Sequence, residues 1–572
     1  MKIGFTFSLV LLSFSLLAQS GKTSDDWDVN NPPGDGWNWK DVKFTTDEGT
    51  WMNLDVSPDG KTIVFDLLGD IYAMPITGGK ATPLRQGIAW ESQPRFSPDG
   101  KKILFTSDAG GGDNCWVMNV DPDGNRGDAK QITKEDFRLL NNGVWTPDGQ
   151  YIVARKHFTS QRSLGAGEMW LYHITGGEGL QLTERKNDQQ DVNEPSVSPD
   201  GRYVYFSEDM YPGGYFQYNK DPNNQIFIIR RYDRQEGKIE DIVTGPGGAS
   251  RPQISNDGNL LAFIKRVRTK TVLYVHDLRT GEEWPLFDQL SKDQQEAWTI
   301  FGSYPGFDWL PDDSAIIIYG LGKIWRVPVS LGTEKKEKAT QIPFTVEVDL
   351  KVAETLRPKQ KAFEDDMEVK VVRHAVTSPT ADILVFNAVG QLWSMVLPDG
   401  KPSPLIKEPI VIRGQEPTPD MEYAGKVARQ YFQFEPAFSP DGKTIAFVTW
   451  DDEDMGAVCT FSFADGKVKR LTTEKGIYRT PSFSPDGKYI VFRKDGGNSH
   501  QGYTNCKNPG IYLIPTDGSA EPKLITPQGE YPQFSADSKR IYYQKGGYLF
   551  GSLTKSVESV DLNGEDKKEH FD

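Results

Sequence analysis

The chain has 572 residues, of which 37% are hydrophobic and 12% aromatic, so it can bury the cores of two to four domains. Its 56 glycines and 37 prolines favour an all-β fold with many turns. The net charge of −15 gives an acidic surface that repels phosphate, which disfavours a nucleic-acid partner. The alternative interpretation is that this charge only keeps the protein soluble.

The first twenty residues have the pattern of a secretory signal peptide. Lys2 supplies the positive charge, Ile3–Leu17 form the apolar stretch, and Ala18 or Ser20 offers a small residue for cleavage. No later stretch reaches the roughly 18 uninterrupted apolar residues of a membrane span. We therefore expect a bacterial protein exported to the periplasm or secreted, with no membrane span after signal removal. The alternative is an uncleaved N-terminal anchor.

The three cysteines are too few and too scattered for a disulfide framework. The sequence leaves open whether Cys459 and Cys506 pair across neighbouring repeats or, like Cys115, stay free and buried. Export without dense disulfides is typical of a bacterial periplasm or surface rather than of a small secreted scaffold.

One phrase recurs along the chain: Pro, two residues, Ser-Pro-Asp-Gly, and then an alternating apolar run, as in Gln93 to Ser107. Ten copies, some of them decayed, begin at Asn53, Gln93, Asn142, Glu194, Arg251, Gly306, Val376, Glu435, Thr480 and Tyr531. In Ser-Pro-Asp-Gly, Pro fixes φ, Asp caps its own backbone and Gly adopts the left-handed conformation, so the phrase predicts a tight turn. The apolar run after each turn predicts a strand.

A third strand, such as Asp70–Met74 or Lys323–Val327, follows most copies, and a Gly-rich turn and a short fourth strand come next. Four antiparallel strands every 40 or so residues are the period of a β-propeller blade. We therefore predict an all-β chain of two consecutive propellers built from four-stranded blades. One ring of ten blades is the alternative.

These phrases resemble the TolB-type propeller repeat, which the propellers of Tricorn protease also contain. The resemblance covers nearly all of residues 44–572 and implies a repeat class rather than an activity. More narrowly, Val56–Gly79 is similar to the opening blade of long exported bacterial proteins, in which a double propeller precedes a C-terminal amidohydrolase domain.

The amidohydrolase resemblance implies a metal such as zinc, held by a His-x-His pair with further His and Asp ligands. The chain has six histidines, and no two of them lie two residues apart. We therefore expect no catalytic residues, no metal site and no cofactor here, unless a C-terminal amidohydrolase domain accompanies the chain. On this interpretation the chain is a fragment or truncated form.

The repeats divide the chain into a signal peptide (1–20), an N-terminal arm (21–43), a six-bladed propeller (44–352) and a second, incomplete propeller (353–572). Because four blades are few for a ring, the second propeller is expected to lack blades at its C-terminus. The later part of the Lys- and Glu-rich stretch 333–361 is the expected linker. Lys40–Thr46 are expected to add a closing strand to the sixth blade.

Candidate contact residues lie four positions before each turn serine or threonine. There the innermost strand of each blade begins, next to the central channel of the propeller. A ring of polar groups at a channel mouth can hold a ligand by hydrogen bonds, and hydration of the channel wall is the alternative. With two neighbouring residues, the predicted ligand-binding set is Trp90, Glu91, Gln93, Asn142, Glu194 and Arg251.

Two other segments have competing interpretations. The loop Asp209–Asn224, with its several tyrosines, is either an exposed contact surface or a loop folded over its own blade. Asp121, Asp123 and Asn125 resemble the start of a calcium loop, but the closing glutamate is missing, and a plain blade turn explains them as well.

Three functions remain open at this stage. The first is a non-catalytic propeller region that binds a protein or peptide or controls access for it (gating), with a C-terminal hydrolase domain as one possible partner. The second is a stand-alone envelope interaction protein like TolB. The third is a propeller enzyme with carboxylates on its loops, for which Glu91 and Glu194 are the available pair.

Overall fold

The computed structural model describes residues 28–29, 37–120, 128–136, 139–159, 165–187, 190–210, 225–297, 299–329, 337–354, 360–361, 365–407, 431–452, 454–497, 506–549 and 552–571. The predicted signal peptide, most of the arm, the 121–125 turn and the aromatic loop at 211–224 lie outside these ranges. Across them, the regular elements are all β-strands, and none is a helix long and apolar enough to cross a membrane. The chain divides into two compact units, Met1–Arg357 and Pro358–Asp572.

Six antiparallel sheets of four strands make up the blades of the first unit. Blades 1 to 3 consist of β2 (Leu54–Val56), β3 (Thr62–Leu67), β4 (Asp70–Pro75) and β6 (Thr82–Arg85); β7 (Glu91–Phe96), β8 (Lys102–Ser107), β9 (Asn114–Asn119) and β10 (Lys130–Gln131); and β11 (Leu139–Trp145), β12 (Tyr151–Thr159), β13 (Gly165–His173) and β14 (Leu180–Gln181). Blades 4 to 6 consist of β15 (Val192–Val197), β16 (Tyr203–Asp209), β17 (Phe227–Asp233) and β18 (Lys238–Val243); β19 (Ser250–Ile254), β20 (Leu260–Val267), β21 (Lys270–Asp277) and β22 (Glu283–Phe287); and β23 (Asp308–Trp309), β24 (Ala315–Gly320), β25 (Lys323–Pro328) and β26 (Thr340–Ile342).

Blade 6 packs against blade 1, so the first unit is a closed ring. The backbone N–H of Leu54 donates to the carbonyl of Gly306 at 2.9 Å, and β2 contacts both β23 and β24. One apolar cluster joins the two blades and includes the fully buried Phe65 and Trp309. The predicted all-β fold of four-stranded blades is confirmed. The alternative of one ten-bladed ring is wrong, because the ring closes after six blades.

A separate three-stranded sheet seals the junction between blades 6 and 1. It contains β1 (Trp39–Thr46), β27 (Phe344–Ala353) and β5 (Gly79–Lys80), with β1 antiparallel and β5 parallel to β27. The expected closing strand at Lys40–Thr46 is therefore placed wrongly, since it pairs with β27 and not with the sheet of blade 6. The reason is that β26 already supplies the fourth strand of that sheet by pairing with β25.

The recurrent turn joins the first and second strands of a blade, as blade 2 illustrates. The Ser97 hydroxyl donates to Asp99 Oδ1 at 2.6 Å and accepts from the N–H of Lys102 at 2.9 Å. Gly100 has a φ of 71°, a conformation that glycine adopts without steric cost. The side-chain bonds close the turn and set the register of the second strand, which explains why Ser, Asp and Gly recur together.

Along the second strand of each blade, successive apolar side chains point to opposite faces of the blade and form the core. Ile63 and Phe65 face blade 6, whereas Val64 belongs to the cluster with Ile103 and Phe105 of blade 2. Both faces of a blade are thus apolar, and each is buried only because a neighbouring blade covers it.

The second unit contains four further four-stranded sheets, blades 7 to 10, and each packs on the next. They consist of β28 (Arg373–Thr377), β29 (Ile383–Ala388), β30 (Gln391–Val396) and β31 (Ser403–Pro404); β32 (Phe432–Phe438), β33 (Thr444–Trp450), β34 (Ala457–Ser462) and β35 (Val468–Arg470); β36 (Ile477–Phe483), β37 (Tyr489–Asp495), β38 (Gly510–Pro515) and β39 (Lys523–Thr526); and β40 (Glu530–Phe534), β41 (Arg540–Leu549), β42 (Ser552–Asp561) and β43 (Lys568–Phe571). Cys115 in the first unit and Cys459 and Cys506 in the second are buried and free, so the last two do not pair.

The buried strand positions should dominate the stability of the second unit. Phe447→Ala removes a fully buried ring from the cluster between blades 7 and 8, and should lower the free energy of unfolding by about 3–5 kcal/mol. Phe432→Ala, at a half-exposed position on the neighbouring strand, should cost less than about 1 kcal/mol. Urea unfolding followed by circular dichroism measures both variants, and equal losses would contradict the assigned burial.

Candidate functional site

The innermost strands of the first unit place polar side chains in the channel by a shared backbone feature. Gln93, Asn142, Glu194 and Arg251 all have φ between 52° and 60°, and the strand register is interrupted by a bulge there. A left-handed residue at a bulge redirects its side chain out of the strand's alternation. Four of the six predicted contact residues therefore occupy equivalent positions around one axis.

These side chains bond to one another across the channel. Gln93 Nε2 donates to Asn142 Oδ1 at 2.8 Å, and Arg251 Nη1 donates to the same oxygen at 2.8 Å. Arg251 Nη2 reaches Asn53 Oδ1 at 3.2 Å, and the Arg251 N–H donates to Glu194 Oε2 at 2.6 Å. We call Asn53, Gln93, Asn142, Glu194 and Arg251 the polar belt. All five are buried, so the belt fills the middle of the channel.

The described residues 288–297 and 299–307, between β22 and β23, cross one end of the channel, and we call them the plug. Belt and inner-strand side chains hold its backbone: Asn193 Nδ2 donates to the Thr299 carbonyl at 2.6 Å and Gln93 Nε2 to the Phe301 carbonyl at 3.1 Å. Glu194 Oε1 accepts from both the N–H and the hydroxyl of Ser303. The plug thus closes the channel at the end opposite the Ser-Pro-Asp-Gly turns.

The end of the channel at the turns forms a funnel of about 370 Å³, to which all six blades contribute. Its carboxyl groups are already engaged. Arg95 Nη1 donates to Asp55 Oδ1 at 2.9 Å, and Gln253 Nε2 donates to Asp308 Oδ1 at 3.0 Å. Burial raises the pKa of both carboxyl groups. The funnel consequently has little polar capacity left for a ligand.

A larger cavity of about 590 Å³ lies at the plugged end, between blades 1 and 2 and the plug, and we call it the loop-end pocket. Apolar side chains form most of its wall: Trp51, Leu67, Leu68, Trp90, Ile300 and Phe301. Trp90 is 54% exposed, although it stands beside a buried strand. Concave, mainly apolar cavities with a few polar groups are the usual form of a binding site.

Three polar atoms in this wall find no hydrogen-bond partner among the described residues. They are Glu91 Oε2, Ser92 Oγ and Thr299 Oγ1, and each residue is more than nine-tenths buried. Leaving a buried polar atom unpaired costs about 1–3 kcal/mol.

The pocket also contains two carboxyl groups with shifted pKa values. Burial raises the pKa of Glu91 to about 7, against the opposing effect of Arg85, whose Nε donates to Glu91 Oε1. Burial raises the pKa of Asp66 to about 6, although the backbone N–H groups of Gln93 and Asn53 donate to it. Perturbed carboxyl groups in a cavity are typical of functional sites.

Local backbone geometry fixes the exposed tryptophan. The Trp90 N–H donates to Asp108 Oδ1 at 2.8 Å, and the Glu91 N–H donates to the Gly69 carbonyl at 2.9 Å. The Trp90 ring lies over Gly69, where an added Cβ would stand 2.8 Å from the ring. Gly69 has a φ of 85°, so both the turn and the ring contact require glycine.

The structure divides the predicted contact residues into two places. Gln93, Asn142, Glu194 and Arg251 form the buried belt, while Trp90 and Glu91 line the loop-end pocket. Glu91 and Glu194 are not a facing pair, because Glu194 is not part of the pocket lining and its oxygens bond to Ser303, Ser207 and Arg251. Ligand binding by these six residues stays a prediction.

Sequence reasoning missed several residues of the pocket, namely Trp51, Leu68, Ser92, Thr299 and Phe301. The plug residues carry no repeat phrase, so periodicity gave no signal for them. The length of chain between blades 5 and 6 was the available indication, because it exceeds a normal blade connection.

Among the described residues, no three His, Cys, Asp or Glu side chains are grouped to hold a metal ion. The expectation that the chain has no metal or cofactor stays a prediction.

Comparison with known proteins agrees with this blade geometry. Residues 43–214 match the TolB beta propeller domain family. This part of the chain is similar to a TolB-type β-propeller domain. Tol-Pal system protein TolB of Francisella tularensis is 35% identical over 240 residues, which are 40% of this chain and 48% of that protein. The resemblance of the repeats to the TolB class is confirmed.

Other similar proteins include the "Putative Tricorn-like protease C-terminal subunit" of Sulfurisphaera tokodaii, 26% identical over 171 residues, 30% of this chain and 18% of that protein. The crystal structure of the tricorn protease matches 91% of this chain and 44% of its own, with 15% identity and a TM-score of 0.36. This chain spans at most half the length of the curated relatives it matches.

The bonds to Glu194 should hold the plug of the six-bladed propeller shut. In Glu194→Gln, the amide nitrogen cannot accept, so the side chain cannot keep all four of its present donors. Amide exchange in residues 299–305, followed by hydrogen–deuterium exchange mass spectrometry, should become about tenfold faster. Glu282→Gln, at an exposed position, should leave it unchanged. Unaltered exchange in Glu194→Gln would show that other contacts hold the plug.

The raised pKa of Glu91 should make stability depend on pH. The folded state keeps this proton up to about pH 7, whereas the unfolded chain loses it near 4.5, so the folded state is favoured at low pH. This contribution is lost as pH rises between those values. Unfolding of Glu91→Gln and wild type should therefore be compared at about pH 5 and about pH 8. The variant should gain stability relative to wild type at the higher pH, while Glu178→Gln, at an exposed site, should follow wild type.

Proposed function

We propose that this chain is an exported, non-catalytic TolB-like propeller protein that binds a peptide segment of a partner protein in the loop-end pocket. The observation that carries the proposal is the mainly apolar wall of this pocket with the half-exposed Trp90 in it. Export is proposed on the signal-peptide pattern and the similarity to TolB.

A peptide side chain matches this wall. An apolar side chain can enter between Leu68, Trp90 and Phe301 and remove its surface from water. The cavity volume suits one or two side chains, so the contact is a local anchor within a larger interface.

The enzyme alternative has less support. Glycoside cleavage requires two carboxyl groups that flank one bond. Glu91 Oε1 already accepts from Arg85, and both oxygens of Asp66 accept from Asn53 and Gln93. With these oxygens engaged, the two carboxyl groups do not provide an acid–base pair.

Peptide selection with matched variants tests the proposed binding. Peptides selected from a random display library on the full chain should share an aromatic or branched apolar residue. Leu68→Ala should weaken their affinity by about tenfold, since about 1.4 kcal/mol of apolar contact is lost. Leu321→Ala is the control, because Leu321 occupies the same left-handed hairpin position in blade 6 but does not line the pocket.

Three outcomes would decide against this function. The first is a library that yields no peptide enriched over bare support, and the second is a Leu68→Ala variant that binds the selected peptides as tightly as wild type does. Cleavage of a selected peptide during incubation, detected by mass spectrometry, would instead favour an enzyme.

A finer proposal places these propellers at the N-terminal side of a metal-dependent amidohydrolase-family protein. The similarity of Val56–Gly79 to the opening blade of such proteins supports it. Because this chain has no His-x-His pair, a metal centre would have to come from residues beyond it. A His-x-His pair encoded downstream in the same reading frame would support this arrangement, and a stop codon after Asp572 would favour a stand-alone interaction protein.

A further inference from the structure

The strand β1 forms an open edge of the sheet that seals the first propeller. It is an outer strand of the three-stranded sheet, and six of its eight residues are exposed. It pairs with β27 on one side, and among the described residues no strand pairs with it on the other. Such an edge offers backbone N–H and C=O groups to a further strand.

A bond at the end of β1 shows which backbone groups point outward. The N–H of Glu354 donates to the carbonyl of Asn38 at 2.9 Å, so these residues form a hydrogen-bonded pair in the register of β1 and β27. Because hydrogen-bonded and non-hydrogen-bonded pairs alternate in an antiparallel ladder, the even-numbered residues of β1 bond to β27. The odd-numbered residues direct their backbone groups away from β27, and these residues are Trp39, Asp41, Lys43 and Thr45.

One face of β1 carries charged residues of both signs. Asp41 lies opposite Lys351 of β27, and Lys43 lies opposite Asp349, with Lys43 Nζ 2.8 Å from Asp349 Oδ2. The two cross-strand pairs have opposite polarity. Along its open edge, β1 therefore presents a negative and a positive residue two positions apart.

The other face of β1 presents apolar side chains. Val42 lies opposite Leu350, and Phe44 lies opposite Val348. Val348 is buried, whereas Val42 is 36% exposed and Phe44 is 43% exposed. Apolar surface thus remains in contact with water beside the open edge.

We propose that two copies of this chain associate by pairing their β1 strands antiparallel, about a two-fold axis at Val42. The outward backbone groups of each copy then bond to those of the other, because odd-numbered residues meet odd-numbered residues across this axis. Two sheets of three strands become one sheet of six. The contact is isologous, so it closes with two copies.

Charge selects this register over its neighbours. An axis at Asp41 or at Lys43 would place two like charges directly opposite each other, which destabilises a strand pair. With the axis at Val42, each Asp41 faces a Lys43 of the other copy. A row across the four central strands then contains Lys351 and Asp41 of one copy, followed by Lys43 and Asp349 of the other. Signs alternate along this row, so the edge lysine that usually keeps strands apart has a partner here.

The same register joins the two apolar faces. Val42 of one copy lies opposite Val42 of the other, between the two Leu350 side chains. Phe44 lies opposite Lys40, whose methylene groups can cover the ring while its ammonium group stays in water. Association thus removes exposed apolar surface of Val42 and Phe44 from water.

Charge reversal with complementation tests the association. Size-exclusion chromatography with light scattering should give twice the mass of one chain for the purified protein at tens of micromolar. Asp41→Lys and Lys43→Asp each place like charges opposite each other, so each should raise the dissociation constant of the dimer by at least about tenfold. An equimolar mixture of the two variants should restore the dimer, because each reversed residue then faces its opposite charge.

The matched control reverses a charge away from the edge. Glu178→Lys, at an exposed position in blade 3, should leave the dimer intact. Circular dichroism confirms that all variants remain folded. A defect in folding alone would not be repaired by mixing two variants, so restoration separates pairing from stability.

Cysteine cross-linking tests the position of the axis. In Val42→Cys, the two cysteines of a dimer occupy a non-hydrogen-bonded pair, whose Cα atoms lie about 4.5 Å apart, within the span of a disulfide. Oxidation should therefore link two chains. Lys40→Cys on the same face is the control, since position 40 lies opposite position 44 of the other copy and should not link to itself. The native cysteines are buried and should contribute little background.

Four results would overturn the proposal. They are a monomeric wild type at tens of micromolar, a dimer that both charge variants leave intact, a mixture of the two variants that stays monomeric, and a Val42→Cys variant that cross-links no better than Lys40→Cys. The loop-end pocket contains no residue of β1, so failure of peptide binding would leave this proposal unaffected.

Discussion

Burial of both faces of a four-stranded blade is the constraint on which the rest of this protein depends. A blade carries apolar side chains on its two sides, as Phe65 and Val64 do in blade 1, and neither side stays dry without a neighbour. In the first unit, six blades satisfy this requirement in a closed ring. The sheet formed by β1, β27 and β5 then covers the junction where the first blade meets the last.

Closing the ring forces the innermost strands together and decides the chemistry of the channel. The left-handed positions at Gln93, Asn142, Glu194 and Arg251 direct polar groups to the axis, where water is largely excluded. Buried polar groups must find partners, and these groups find them in one another and in the plug. The belt is thus a structural network, which leaves little polar capacity on the axis for a ligand.

The loop-end pocket differs from the belt because its wall is mainly apolar. Burial keeps the pKa of Glu91 in this wall close to neutral. The apolar wall and the half-exposed Trp90 are the features on which the proposed binding depends.

The sequence by itself determined the blade. Ser-Pro-Asp-Gly, the alternating strand after it and the polar residue four positions before its serine are local patterns, and local patterns set turns, strands and the direction of side chains. Only the tertiary structure decided that Asn142 meets Gln93 and Arg251, that the plug crosses the channel, and that β1 pairs with β27. These contacts join residues tens to hundreds of positions apart, where no period in the sequence specifies the partner. The pocket at Trp90 and Glu91 depends on such contacts, so the sequence indicated two of its residues but not the cavity.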